Sequence, residues 1–168
     1  MREDQDASDD LKHSIILNYL RTIADFQFAV GSGEVLFPNN VEIFYSKTGK
    51  PRQVFLDKKR IATIRPKDGL FTLSILGAEL LKNSFSYPSF RVVVMNDVSE
   101  FIADGKNVFA KHVLSVDPNI KGEEEVIVVD EDDILLGTGR SVLNADEMLL
   151  FNIGVAVNIR YGINSSGS

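Results

Sequence analysis

The sequence contains no cysteine. That excludes disulfides, thiolate nucleophiles, iron–sulfur clusters and every zinc site that depends on a thiolate. There are only two histidines, His13 and His112, too few and too far apart in the chain for a histidine-rich metal site. Tryptophan is missing while phenylalanine occurs eleven times, so the core is expected to combine phenyl rings with aliphatic side chains. No apolar run approaches the ~20 residues a membrane helix needs. The opening Met1-Arg2-Glu3-Asp4-Gln5-Asp6 is too polar and acidic for a secretory signal. A cytoplasmic protein with no membrane partner is the expectation. The sequence also lacks G-x-x-x-x-G-K-[ST], G-x-S-x-G and H-E-x-x-H, so no autonomous catalytic centre, cofactor or metal is expected. What remains is a length of 168 residues with 44% hydrophobic and 25% charged residues, enough for one ordinary domain or two small soluble ones.

The net charge of −6 argues against a polyanionic partner until its distribution is read. Residues 1–10 hold one Arg against five acids, a local −4. Residues 47–67 hold eight bases (Lys47, Lys50, Arg52, Lys58, Lys59, Arg60, Arg65, Lys67) against Asp57, a local +7. Residues 123–133 hold seven acids and no base. Binding to a phosphate backbone depends on potential within roughly 8 Å, about one Debye length, and not on the whole-chain sum. The segregation leaves room for RNA.

Residues 1–9 lack an apolar pattern and are expected to be disordered. Ser8 or Asp9 then caps a helix whose apolar positions recur as Leu11, Ile15, Tyr19, Leu20, Ile23, Phe26 and Val30, stopped by Gly31-Ser32-Gly33. From Val41 the period shortens to two. Strands are predicted at 41–45, 53–56, 61–64 and 70–73, with a tight turn at Asp68-Gly69 and a closing helix near 76–82. The second half reads as strand 91–94, a short helix capped by Asp97 or Ser99 and ended by Gly105, strand 107–113, and a valine-rich strand 125–130. Strand 134–141, a helix capped by Asn144 and strand 155–161 follow. The fold class is therefore α+β: a small helix-on-antiparallel-sheet domain over 10–89, then a β pseudo-barrel over 90–163, with a flexible tail at 164–168.

Gly137-Thr138-Gly139 sits inside a strand pattern and reads as a bulge or bend in the barrel wall, not as a dinucleotide loop. The acids of 123–133 read as a solvated, repulsive edge. The eight bases of 47–67 fall on turns and alternate strand positions, so several are expected to share one exposed face suited to phosphates or to an acidic partner. In Gly105-Lys106-Asn107-Val108-Phe109-Ala110-Lys111-His112, glycine permits close backbone approach and two lysines add charge. Phe109 and Phe101 read either as core residues or as platforms for a stacked base.

At these residues the chain resembles a PUA domain, a small RNA-binding pseudo-barrel. The resemblance is carried by the run from Phe101 to Val108, the Gly122 turn, Gly137-x-Gly139-Arg140-Ser141, Asp146-Glu147-Met148 and Gly154-Val155-Ala156-Val157. Upstream, five segments resemble the accessory domain preceding PUA in archaeosine tRNA-guanine transglycosylase. They are Asp25-Phe26-Gln27-Phe28, Thr48-Gly49-Lys50-Pro51-Arg52, Arg65-Pro66-Lys67-Asp68-Gly69-Leu70-Phe71-Thr72-Leu73, Gly77-Ala78 and Arg91-Val92-Val93-Val94. That family's catalytic barrel needs an aspartate nucleophile and a zinc site of three cysteines and a histidine, which a cysteine-free sequence does not supply. The resemblance therefore implies a non-catalytic tRNA-binding subunit whose partners are tRNA and a separate catalytic transglycosylase subunit, and it leaves a homo-oligomer open. The alternative is a stand-alone RNA-binding factor of ribosome biogenesis or translation. The resemblance also implies RNA contact along a groove containing Phe101, Gly105, Lys106, Asn107, Phe109, Lys111, Arg160 and Tyr161, with Arg140 nearby.

Overall fold

In the computed structural model, which describes residues 1–165, a first domain sets one long helix and two short ones against a four-stranded meander. The helices are α1 (Arg2–Gln27), α2 (Ser32–Leu36) and α3 (Ile75–Ser84). The meander is β1 (Glu42–Tyr45), β2 (Pro51–Leu56), β3 (Lys59–Ile64) and β4 (Phe71–Leu73), antiparallel in chain order. The predicted strands are all present, because alternating apolar residues separated by Gly- and Asp-containing turns leave little choice of register. Ser74 caps α3 by accepting from the Gly77 amide. Among the described residues, no helix is long and apolar enough to cross a membrane.

Two expectations about α1 are corrected. The helix does not begin at Ser8 or Asp9 but runs back to Arg2, through the stretch expected to be disordered. No glycine or proline interrupts residues 2–10, and Glu3 and Asp4 in the first turn complement the positive end of the helix. The packed face also differs. Leu20 and Ile23 meet the sheet as expected, but Leu17, Ala24 and half-buried Ile16 complete that face. Leu11, Ile15, Tyr19, Phe26 and Val30 remain exposed. Both faces of the helix are apolar, and periodicity alone does not say which one packs.

The second domain is a nearly closed six-stranded sheet in the order β6-β10-β9-β8-β5-β7. Its strands are β5 (Arg91–Val94), β6 (Val108–Phe109), β7 (Val113–Val116), β8 (Glu125–Val129), β9 (Leu135–Ser141) and β10 (Val155–Gly162). All neighbours are antiparallel except β5 and β8. Short helices α4 (Ser99–Ala103) and α5 (Ala145–Leu150) close its ends. Asn144 and Glu147 form a reciprocal capping box at α5. Neither Asp97 nor Ser99 caps α4. A 3-10 turn over Asn96–Val98 leads into it, anchored by Asn96 and Glu131 exchanging amide hydrogen bonds of 2.9 and 3.2 Å. The strand expected over 107–113 is broken by a 3-10 turn at Ala110–His112.

The valine strand β8 explains how the two domains sit together. Val126 and Val128 belong to the core of the second domain, while Ile127 and Val129 belong to the core of the first. On neighbouring β5, Val92 and Val94 face the second core and Val93 the first. These strands are walls shared by two cores, and so their sequences are apolar on both faces. Asn164 and Ser165, assigned to a flexible tail, are tied back: the Asn164 amide donates to the Ala103 carbonyl at 2.8 Å, and the Ser165 hydroxyl donates to the Gly162 carbonyl at 2.7 Å. The rest of that expected tail, 166–168, lies outside the described residues.

Candidate nucleic-acid interface

The turn after α4 builds an open edge. Gly105 adopts φ +96°, a conformation that costs a side-chain-bearing residue energy, and this turn sends the chain from α4 into β6. Val108 is fully buried and pins β6 to β10 through the Val108–Val157 and Phe109–Val155 pairs. Anchored this way, Lys106, Asn107, Phe109 and Lys111 are exposed on one side of the barrel, with Phe101 of α4 beside them. Phe101 is 61% and Phe109 45% exposed, so neither is a core residue. The Phe109 ring meets the edge of His112 at 6.3 Å. Asn107 also supports the barrel, since its side-chain oxygen accepts from the Ile159 amide at 3.0 Å. Phe151 and Ile153, at the α5–β10 turn, are exposed apolar residues that the sequence reading left inside a helix or unassigned. They lie close by, since the Ala110 amide donates to the Gly154 carbonyl.

Arg160 and Tyr161 lie elsewhere. A bulge in the β9–β10 pairing between Ile159 and Tyr161 breaks the usual alternation; Tyr161 reaches Arg60 of the first domain, and Arg160 reaches Glu125 of β8. Arg160 donates to both oxygens of Glu125 at 2.6 and 2.7 Å. Glu125 Oε2 also accepts the Leu73 amide of β4 at 2.7 Å. The Glu125 side chain is 3% exposed, and burial pushes its pKa up to about 6 against the pull of Arg160. Tyr161 accepts from the Arg60 guanidinium at 2.9 Å, and the guanidinium carbon lies 5.2 Å from the ring centroid. Arg140 pairs with Glu123 at 3.3 Å on the exposed surface of β9.

The acidic segment is therefore not simply a solvated edge. Glu125 holds the junction just described. Asp133 receives fully buried Arg91 at 3.1 Å and Lys82 at 3.6 Å. Arg91 directs its remaining donors to the Lys82, Phe85 and Ser89 carbonyls at 2.9 Å, closing the end of α3 onto β5. A run of like charges hides such individual roles. The signal for Glu125 was its place at the head of a strand buried on both faces. Among the described residues, no three His, Cys, Asp or Glu side chains converge as metal ligands would.

The eight bases do not share one face. The meander alternates direction, so Lys47, Lys50 and Arg52 gather near the same end as Arg65 and Lys67, while Lys58, Lys59 and Arg60 occupy the other end. The two ends are ~20 Å apart, one six-residue strand. Arg65 is committed to Asp68 at 2.6 and 3.1 Å. The Lys58–Arg60 end approaches the second domain: Gly162 packs on the backbone of Ala103 and Gly105, and Tyr161 beside it binds Arg60. The β2–β3 turn and the Gly105–Lys106 loop thus meet through one dipeptide of β10.

Comparison with known proteins matches this layout segment by segment. Residues 18–88 match the patch-forming domain C2 of tRNA-guanine transglycosylase, and residues 90–163 match the PUA domain. A tRNA-guanine(15) transglycosylase of Pyrococcus furiosus is 47% identical over 145 residues, which is 86% of this chain and 24% of that protein. One from Pyrococcus abyssi is 44% identical over 147 residues, 88% of this chain and 25% of that protein. The chain thus spans about a quarter of the length of these relatives, and that quarter is their C-terminal end. A hypothetical protein of Pyrococcus horikoshii OT3 has the same fold, with a TM-score of 0.71 at 19% identity, covering 89% of this chain and 91% of that one. Residues 18–163 accordingly match a C2 domain followed by a PUA domain, and in that pairing they resemble the C-terminal half of the tRNA-guanine transglycosylases.

Proposed function

We propose that this chain is a non-catalytic, tRNA-binding subunit that serves a separate catalytic transglycosylase chain in archaeosine modification in the cytoplasm. The observation that carries the reading is the C2–PUA pair itself, found in a 168-residue sequence without the cysteines that a transglycosylase zinc site would need. Base exchange must then come from residues outside these 168. The binding surface is the edge formed by Phe101, Gly105, Lys106, Asn107, Phe109 and Lys111, continued across β10 towards Lys58 and Lys59. Lysines contact phosphates, and the exposed phenyl rings offer stacking surfaces. Arg160 and Tyr161 support this edge from behind by fixing β10 to the first domain, and Arg140 flanks it. The subunit's role is positioning, which accelerates a partner's chemistry without contributing a reacting group.

Native purification from cells, followed by identification of bound RNA and protein, tests the reading. The expected result is tRNA together with a transglycosylase catalytic chain, and base exchange that falls when this chain is omitted. Recovery of neither, with base exchange unchanged, would end it. Lys106→Ala and Lys111→Ala should each weaken binding by similar factors across different tRNAs and lower the log–log salt slope by about one. If both leave affinity intact while Lys58→Ala and Lys59→Ala abolish it, the edge is misassigned. A stand-alone RNA-binding factor is the second reading, since the PUA match over residues 90–163 does not by itself require a transglycosylase partner. Crosslinking that returned mainly ribosomal RNA would select it.

A further inference from the structure

The outer face of α1 carries an apolar stripe that packs on nothing among the described residues. Leu11, Ile15, Tyr19 and Phe26 are 62%, 60%, 60% and 84% exposed. At about 100° per residue, these four and Thr22 fall within a sector of about 80°, roughly opposite the buried Leu17, Leu20 and Ala24. The stripe is ~22 Å long, fifteen residues at 1.5 Å each. A helix apolar on one face has one partner, and a helix apolar on two opposite faces is built for two. The N-terminal part, residues 2–12, is exposed almost throughout, and isolated helical turns of this kind are only marginally stable in water.

The comparisons indicate what lies beyond this face. The C2 match begins at residue 18, in the middle of α1, so Leu11 and Ile15 stand upstream of the family domain on the same helix. In the relatives the matched part is the C-terminal quarter, so the remaining three-quarters reach the C2 domain through its N-terminal side. That side is α1. The charge around the stripe adds a second requirement: residues 1–10 carry one Arg against five acids.

We propose that the Leu11–Ile15–Tyr19–Phe26 stripe is the surface through which this module docks on the catalytic transglycosylase chain. The docking site on that chain is an apolar groove rimmed by basic residues that receive the acidic first turns of α1. The proposal rests on the split-subunit reading and adds the attachment point. The stripe forms the apolar centre of the contact, and the acidic turns form a charged rim that raises the association rate and its salt sensitivity. Attachment on α1 leaves the edge of Lys106 and Lys111 to tRNA.

The test uses the full-length chain and the transglycosylase catalytic chain encoded in the same genome. Binding is measured by titration calorimetry at physiological salt, with tRNA affinity and circular dichroism measured in parallel. The triple variant Leu11→Gln, Ile15→Gln, Tyr19→Gln keeps good helix formers at exposed positions and changes no charge. A second variant, Leu11→Met, Ile15→Met, Tyr19→Phe, keeps the apolar face. We expect at least about a 100-fold loss of affinity for the catalytic chain in the Gln variant. The apolar variant should stay within about threefold of wild type, and tRNA binding should hold in both. Tight binding by wild type and Gln variant alike would overturn the docking surface while leaving the split-subunit reading standing. No binding by wild type would overturn both. A wild-type homodimer that the Gln variant dissolves, without any affinity for the catalytic chain, would assign the stripe to a second copy and overturn the proposal.

Discussion

Glu125 is a carboxylate whose charge weakens the fold it helps to organise. It is shut away at the junction of the two domains, where Arg160 and the Leu73 amide serve its oxygens, yet burial holds its pKa at about 6. The ordinary value is 4.5. A folded-state pKa above the unfolded one means that the native protein binds the proton more tightly, so protonation stabilises it. The benefit is fully present below about pH 4.5 and is lost as pH rises through about 6. One and a half units correspond to about 2 kcal/mol. For a chain of this size that is roughly 4–8 °C in Tm. The perturbation is Glu125→Gln, which keeps the side-chain shape and one acceptor oxygen but cannot ionise. Urea unfolding of both proteins from pH 4.5 to 7.5 isolates the group, because titrations common to both cancel in the difference. Wild type should lose about 2 kcal/mol relative to the variant across that window. A difference that stays flat with pH would show that Arg160 fully compensates the burial and that the reasoning fails.

Other expectations are simpler. Gly139→Ala drives a methyl group into the Asn158 carbonyl on the neighbouring strand, so it should cost at least ~2 kcal/mol in urea unfolding. Asn144→Ala removes the side-chain oxygen that accepts the Glu147 amide at the start of α5 and should cost ~1 kcal/mol by the same assay. Phe101→Ala and Phe109→Ala remove exposed rings, so each should change stability by less than about 0.5 kcal/mol. If they stack on nucleobases, each should weaken tRNA binding by ~1–3 kcal/mol in a filter-binding titration.

Much of the fold could be read from local patterns. Strands β1 to β4 and the cap at Asn144 are each specified by residues within a few positions of one another, so a linear reading reaches them. Failures occur where a distant partner decides the outcome. Leu11 and Ile15 have the spacing of a packed helix face, but the sheet took the side marked by Leu17 and Ala24. Glu125 looks like one glutamate in a run of three until β4 and Arg160 close around it. Arg160 and Tyr161 follow the groove by resemblance, yet beside a bulge Arg160 is committed to Glu125 and Tyr161 to Arg60 at the domain junction. The basic block is contiguous in sequence and divided in space, because a meander sends successive turns to opposite ends.

The alternating allegiance of β8 constrains how this polypeptide can be cut. Severing the chain near residue 89, at the apparent boundary, would leave Val93, Ile127 and Val129 of the released fragment facing water. Three bare aliphatic side chains across paired β5 and β8 form a flat sticky sheet surface, a feature that promotes association between copies. The two modules should consequently melt in a single step, however distinct their sequence signatures.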